Sequence, residues 1–179
     1  FTGTIKDNRW YPGTSWKYGL ITRYKSYDGP VNMTNAIMYS DNIYFAWMGL
    51  QAGADNMMRY LGQWGVGETL PFDIPVSRSR ISTSGNLDNE GLLADTAYGQ
   101  GEFTVTPLHL SVMFSCLDNG GDAMKPYLVE KICRVENGRQ VPETVAEPTV
   151  YKHMLQSGTV PTLRTMLRSV MTKIGRAHV

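Results

Sequence analysis

The stretch Ser40-Asp41-Asn42-Ile43-Tyr44-Phe45-Ala46 sits where two helical patterns meet. Upstream, a helix is expected to begin near Asn32, with Met33, Ala36 and Ile37 on one stripe at helical spacing. Ser40 falls next on that stripe and is expected to point inward as the helix ends. Downstream, Ile43, Ala46, Trp47 and Leu50 form a second stripe, and Gly53 supplies a stop. Asp41 and Asn42 are both good cap residues, because a short polar side chain can accept from the free N–H groups of a first turn. By itself the stretch describes a helix–helix junction with a capping aspartate. A given Ser-Asp-Asn turns up by chance in a chain this long at roughly a few per cent, so the tripeptide alone decides nothing.

Beyond the junction a third helix is expected from about Asp55 to Trp64, closed by Gly65. Residues 71–89 are polar and irregular and read as a long excursion over a surface. Positions 92–97 suit a short helix leading into Tyr98-Gly99-Gln100-Gly101-Glu102. Thr106-Pro107 starts another, since threonine caps and proline costs nothing where the N–H has no partner. Leu110, Met113, Phe114 and Leu117 mark its expected buried face, and Asn119-Gly120-Gly121 its end. Residues 128–135 and 139–145 read as a hairpin turning at Asn137-Gly138, a pair that tolerates positive φ at both turn positions. A last helix carries Leu163, Met166, Leu167, Val170 and Met171 on one side. Residues 1–30 read as loop, with a short strand around 20–24. The organisation is mainly helical, and no run of strands is expected to form a central sheet.

The totals exclude several functions. At 179 residues, 42% apolar and 18% charged, the composition suits one domain with a core. A net charge of +1 without a basic block makes nucleic acid a poor partner. No apolar run approaches bilayer-spanning length. Cys116 and Cys133 have no neighbouring histidines and lack metal-ligand spacing, so no metal is expected and both read as buried thiols. His109 and His153 stand apart with no partner motif, and both read as structural or solvated.

Ser40-Asp41-Asn42 resembles the second motif of the penicillin-binding protein and serine β-lactamase superfamily, whose set is Ser-x-x-Lys, Ser-Asp-Asn and Lys-Thr-Gly. Other segments agree in order. Trp16 with Ile21-Thr22-Arg23-Tyr24 resembles the approach to this motif in class B penicillin-binding proteins. Leu61-Gly62 through Gly65-Val66-Gly67-Glu68, Asn86-Leu87-Asp88-Asn89-Glu90, Leu92-Leu93-Ala94-Asp95 and Tyr98-Gly99-Gln100-Gly101-Glu102 follow. Pro107 to Asn119-Gly120-Gly121 and Pro126-Tyr127-Leu128 continue the likeness, which is nearest to the low-affinity, methicillin-resistance type of Gram-positive enzyme.

The resemblance implies an α+β fold: the helical portion of the transpeptidase domain, with its central antiparallel sheet largely missing from this chain. It implies serine acyl transfer without a cofactor, acting on the D-Ala-D-Ala end of peptidoglycan stem peptides and trapped by β-lactam antibiotics. Ser40 would relay a proton, because a hydroxyl can donate and accept at once. Asn42 would hold the lysine and the acyl carbonyl side of the substrate. Asp41 would be structural, fixing the turn, and Tyr98, Gly99, Gln100 and Gly101 would lie beside the substrate. A membrane anchor is expected in a missing N-terminal part, with this domain on the extracytoplasmic face of the cell membrane.

No serine in the chain is followed three residues later by lysine, so the first motif is expected upstream of Phe1. Ser77-Arg78-Ser79-Arg80 comes nearest, but arginine stays charged and cannot act as a base. Gln156-Ser157-Gly158-Thr159 mimics the third motif but opens onto a helical stripe, so it is read as the lead-in to that helix. Lys173-Ile174-Gly175 is a second mimic. Residues 174–179 match the translation of a common sequencing adapter and are expected to be non-native, leaving 1–173 as a partial transpeptidase domain. The isolated chain is expected to be inactive and poorly soluble, because helix faces meant for the sheet would be exposed. Two other functions fit the resemblance less well: a β-lactam-sensing receptor, whose Tyr-Gly-Asn is absent, and a non-catalytic scaffold. A class A β-lactamase is disfavoured by the lack of Glu-x-x-x-Asn.

Overall fold

The computed structural model describes residues 4–13, 16–24, 26 and 31–174. Near the start, β1 (Thr4–Lys6), β2 (Arg9–Tyr11) and β3 (Ile21–Thr22) form an antiparallel sheet in that order. Asp7 and Asn8 join the first two strands with φ of 51° and 62°, a left-handed turn that short polar side chains tolerate. The strand near residue 20 is therefore present, while β1 and β2 replace what the sequence presents as loop.

Next come α1 (Met33–Tyr39), α2 (Asn42–Ala52), α3 (Ala54–Gln63) and α4 (Glu90–Ala97). The Asn32 and Asp41 side chains accept from first-turn N–H groups of α1 and α2, which begin where expected, and Asn89 does the same for α4, which starts two residues before the expected 92. The helices α2 and α4 cross closely at Gly49, where an added Cβ would stand only 2.3 Å from Ala97 Cβ. Only a residue without a side chain lets the two backbones approach this far. Trp10, Trp16, Ile21, Ile43, Ala46 and Ala94 make one buried cluster there, tying the first sheet to both helices.

A second cluster, of Leu61, Val66, Ile81, Leu87 and Leu93, shows that residues 71–89 are more than a surface excursion. Ser79, Ile81, Ser82 and Leu87 are all buried, and Arg80 bridges to Thr104. The many hydroxyls made the segment read as surface, yet those of Ser79 and Ser82 turn inward to hydrogen-bond partners.

The remaining elements are α5 (Pro107–Ser115), β4 (Asp122–Met124), β5 (Lys131–Glu136), β6 (Arg139–Val145), β7 (Val150–His153) and α6 (Val160–Ile174). Thr106 caps α5 as expected, yet its buried face is His109, Val112 and Cys116. Leu110 and Phe114 are exposed instead. The helix is apolar nearly all round, so hydrophobic spacing could not choose between its faces. The pair β5–β6 turns at Asn137 and Gly138 with φ of 50° and 76°, and β4 pairs with β7. Cys116 is buried beside β4, but Cys133 lies only half-buried on the hairpin, which corrects the expectation of two buried thiols. Residues 157–159 form a turn that leads into α6, as the helical stripe indicates. The tail 175–179 lies outside the described residues. The result is a mixed α+β chain with small sheets and, among the described residues, no central sheet.

Candidate active site

Ser40 ends α1 in the left-handed conformation, with φ 55° and ψ 56°. That region costs an L-residue energy, glycine being the usual occupant of such a helix end. Its backbone reversal turns the side chain outward. Ser40 is exposed, not inward-pointing as its place on the helical stripe suggests, because the stripe stops applying once the backbone leaves the helix. Among the described residues its hydroxyl has no hydrogen-bond partner.

Asp41 stabilises this conformation. It is 1% exposed, and its Oδ1 accepts from the N–H groups of Ile43 (3.0 Å) and Tyr44 (3.3 Å). Its Oδ2 accepts from Arg23 Nη1 at 3.0 Å, and that arginine is itself largely buried. A buried carboxylate is tolerable only when its lone pairs and charge are met in this way. The Arg23–Asp41 pair is invisible in the local sequence, since 18 residues separate the partners.

Asn42, half-buried on the first turn of α2, donates its Nδ2 to the Thr22 carbonyl at 3.0 Å. A carbonyl can only accept, so the amide nitrogen must face Thr22, which leaves Oδ1 and the second N–H of Nδ2 for other partners. Ser40 and Asn42 open together onto a depression of ≈ 320 Å³ lined also by Ile37, Phe45, Ala97 and Tyr98. The apolar members Ile37, Phe45 and Ala97 were not expected as part of the site. They line it because α1, α2 and the end of α4 converge, and no local motif announces that.

Tyr98 therefore joins Ser40 and Asn42, whereas Gly99, Gln100 and Gly101 do not line that depression. All three are exposed on the loop that follows. The Tyr98 hydroxyl donates to Asp95 Oδ1 at 2.5 Å. Burial pushes the Tyr98 phenol well up, and the hydrogen bond and negative charge of Asp95 add to it, so Tyr98 stays a neutral donor at physiological pH.

Away from this depression, Ser79 and His109 form a serine–histidine pair. Ser79 Oγ lies 2.8 Å from His109 Nδ1, while His109 Nε2 lies 2.9 Å from the Trp64 carbonyl. That carbonyl makes Nε2 the protonated nitrogen, so Nδ1 accepts from Ser79. Both side chains are 2% exposed, and the Ser79 oxygen also accepts from the Thr106 N–H. With no access to substrate, the pair is a clasp between α5, the 71–89 segment and the end of α3. His153 is exposed and pairs with Asp122. No group of three or more acidic, cysteine or histidine side chains able to hold a metal occurs among the described residues. Nor is any of their helices long and apolar enough to cross a membrane.

Comparison with known proteins places this geometry. Penicillin-binding protein 3 of Bacillus subtilis is 39% identical over 72% of the chain and 19% of its own length. The peptidoglycan D,D-transpeptidase MrdA of Acinetobacter baumannii is 28% identical over 94% of the chain and 28% of its own length. The chain thus spans less than a third of either relative. Its fold is that of penicillin-binding protein A from Mycobacterium tuberculosis, with a TM-score of 0.77 at 20% identity over 90% of this chain and 36% of that one. That protein's imipenem acyl-enzyme complex matches at 0.76 over 86% and 35% of the respective chains. Residues 2–178 match the family model for the penicillin binding protein transpeptidase domain, and the chain belongs to that family.

Proposed function

We propose that this chain is the middle stretch of a class B peptidoglycan D,D-transpeptidase that cross-links stem peptides by serine acyl transfer. The observation that carries the reading is the junction itself: Ser40 and Asn42 side by side on one depression, set by a buried, fully partnered Asp41. In this proposal a Ser-x-x-Lys motif in the longer protein supplies the nucleophile. Its hydroxyl oxygen bonds to the carbonyl carbon of the D-Ala-D-Ala peptide bond, the C–N bond breaks, and D-Ala leaves with a proton. Ser40, exposed and unpartnered among the described residues, relays that proton. Asn42 offers Oδ1 to the ammonium of the lysine, which can only donate, and the second N–H of Nδ2 to the acyl carbonyl side of the substrate. An amine of a second stem peptide then attacks the acyl carbonyl, restores the serine and completes the cross-link. A β-lactam would occupy the same place and stall as an acyl-enzyme.

The longer protein is proposed to sit in the cell membrane by an anchor outside this chain, with the domain on the extracytoplasmic face. The ordered segments from Trp16 to Leu128 support kinship with the methicillin-resistance type. Residues 1–173 are proposed as the native part and 174–179 as adapter-derived. Re-amplified source DNA that still encoded the last six residues would sink that point.

The test begins with the source DNA on both sides of the reading frame, followed by labelling of the complete protein with fluorescent penicillin. The expected result is Ser-x-x-Lys upstream, Lys-Thr-Gly or Lys-Ser-Gly downstream, and labelling slowed on the order of 10²–10⁴-fold by Ser40→Ala. Flanks without both motifs would favour a scaffold. Labelling without cross-linking activity would favour a β-lactam sensor.

A further inference from the structure

Asp95 lies in the last turn of α4. A carboxylate there faces the negative end of the helix dipole, an arrangement that costs stability. The residue nevertheless organises the whole segment after it. Its Oδ1 takes the Tyr98 hydroxyl, and its backbone carbonyl accepts from the N–H groups of Tyr98 at 3.3 Å and Gln100 at 2.9 Å. Gly101, at φ 71°, lies so close that an added Cβ would stand 3.2 Å from Asp95 Cβ and 3.1 Å from Leu92 Cδ1. The loop is thus anchored on the backbone and the side chain of one residue.

Tyr98 in turn is a wall shared by two depressions. One holds Ser40 and Asn42, and the other lies among Trp16, Tyr18, Leu92, Asp95 and Glu102. The phenol oxygen lies on the axis about which the ring turns, so holding it fixes the direction in which the side chain projects and keeps the ring between the two depressions. We propose that Asp95 is a positioning residue for acylation, holding the Tyr98 ring as the wall against which a substrate on Ser40 and Asn42 is oriented. This rests on the acyl-transfer reading above. Asp95 touches no substrate. It acts through Tyr98, and its unfavourable place at the helix end is the local cost of that hold.

The test uses the complete protein and its rate of acylation by fluorescent penicillin. Asp95→Ala is expected to slow acylation on the order of ten- to a hundredfold, the range of a small misplacement near the chemistry. Asp95→Asn, whose amide oxygen still accepts from the phenol, is expected to recover most of that loss. Asp95→Ala combined with Tyr98→Phe should be no slower than the worse single variant, because both remove one contact. Ionisation of Tyr98, followed by fluorine NMR after 3-fluorotyrosine incorporation, reads the contact without any activity. It should move down towards the ordinary tyrosine range in Asp95→Asn. A labelling wild type whose Asp95→Ala variant acylates within about twofold of it, or losses that multiply in the double variant, would overturn the proposal. If Asp95→Ala does not fold, an unchanged Tyr98 titration in Asp95→Asn overturns it and a lowered one supports it. A wild type with intact flanking motifs that does not label removes the acyl-transfer reading instead, and the titration then decides whether Asp95 holds the ring.

Discussion

At the α1–α2 junction an acidic side chain is buried, while on the β5–β6 hairpin the acidic side chains stand in water. Asp41 has a side chain with no exposure, two backbone N–H partners and an arginine at 3.0 Å. On the hairpin, Arg134 pairs with Glu136 at 2.9 Å and with Glu143 at 3.9 Å, but all three side chains are at least half exposed. Similar distances therefore carry different energies. Water and salt screen the hairpin pairs, whereas at the junction a lost partner leaves charge in a low-dielectric interior. The hairpin keeps its shape through its ladder and its two left-handed turn residues. The junction keeps its shape through one residue, and the exposed Ser40 depends on it.

The largest expected effect breaks that asymmetry. Asp41→Ala should cost about 3–5 kcal/mol in urea unfolding, while Arg134→Ala on the hairpin should stay within about 1 kcal/mol. Equal losses would mean that the junction is held by something other than its buried aspartate.

A smaller effect is expected one layer away, where α2 meets α4. Gly49→Ala should destabilise by about 1–3 kcal/mol, the cost of overpacking a close crossing. Because the clash is with Ala97 Cβ, adding Ala97→Gly should return part of the loss. Thermal unfolding of the single and double variants checks this, and simple additivity would show that the two residues do not meet.

The smallest effect concerns the root of the hairpin. The exposed Asp73 carboxylate accepts from the N–H groups of Leu128 at 2.6 Å and Val129 at 3.1 Å. Those hydrogen bonds, led by Leu128, hold its pKa below the ordinary carboxylate value. A folded pKa that is lowered gives stability above the unfolded value and loses it as pH falls through the folded one. Hydrogen exchange at Leu128 and Val129, corrected for intrinsic pH dependence, should therefore accelerate only in strong acid. No acceleration there would show that the hairpin root does not depend on Asp73.

The same contrast separates features that the sequence states locally from those that packing decides. The hairpin was legible because Asn137-Gly138 states its own turn, and the capped starts at Asn32, Asp41 and Thr106 were legible because caps are local chemistry. The first hairpin was readable in principle from Asp7-Asn8, a weaker signal than Asn-Gly. The pairing of β4 with β7 was not readable, since its two short strands are joined by more than twenty residues that contain another hairpin. The face of α5 was not readable either, because an apolar helix has no preferred side until its neighbours are placed.

By itself the sequence determined the helix starts at Asn32 and Thr106, the capping role of Asp41 and the ordered segments that mark the transpeptidase family. Each of these is set by residues within a few positions of one another, or by their order along the chain. Only the tertiary structure decided that Ser40 faces outward, that Arg23 closes the charge of Asp41, and that Tyr98 reaches the depression while Gly99, Gln100 and Gly101 stay off it. Those outcomes depend on how α1, α2 and α4 pack. Packing is fixed by close approaches such as Gly49 against Ala97, which join residues far apart in sequence.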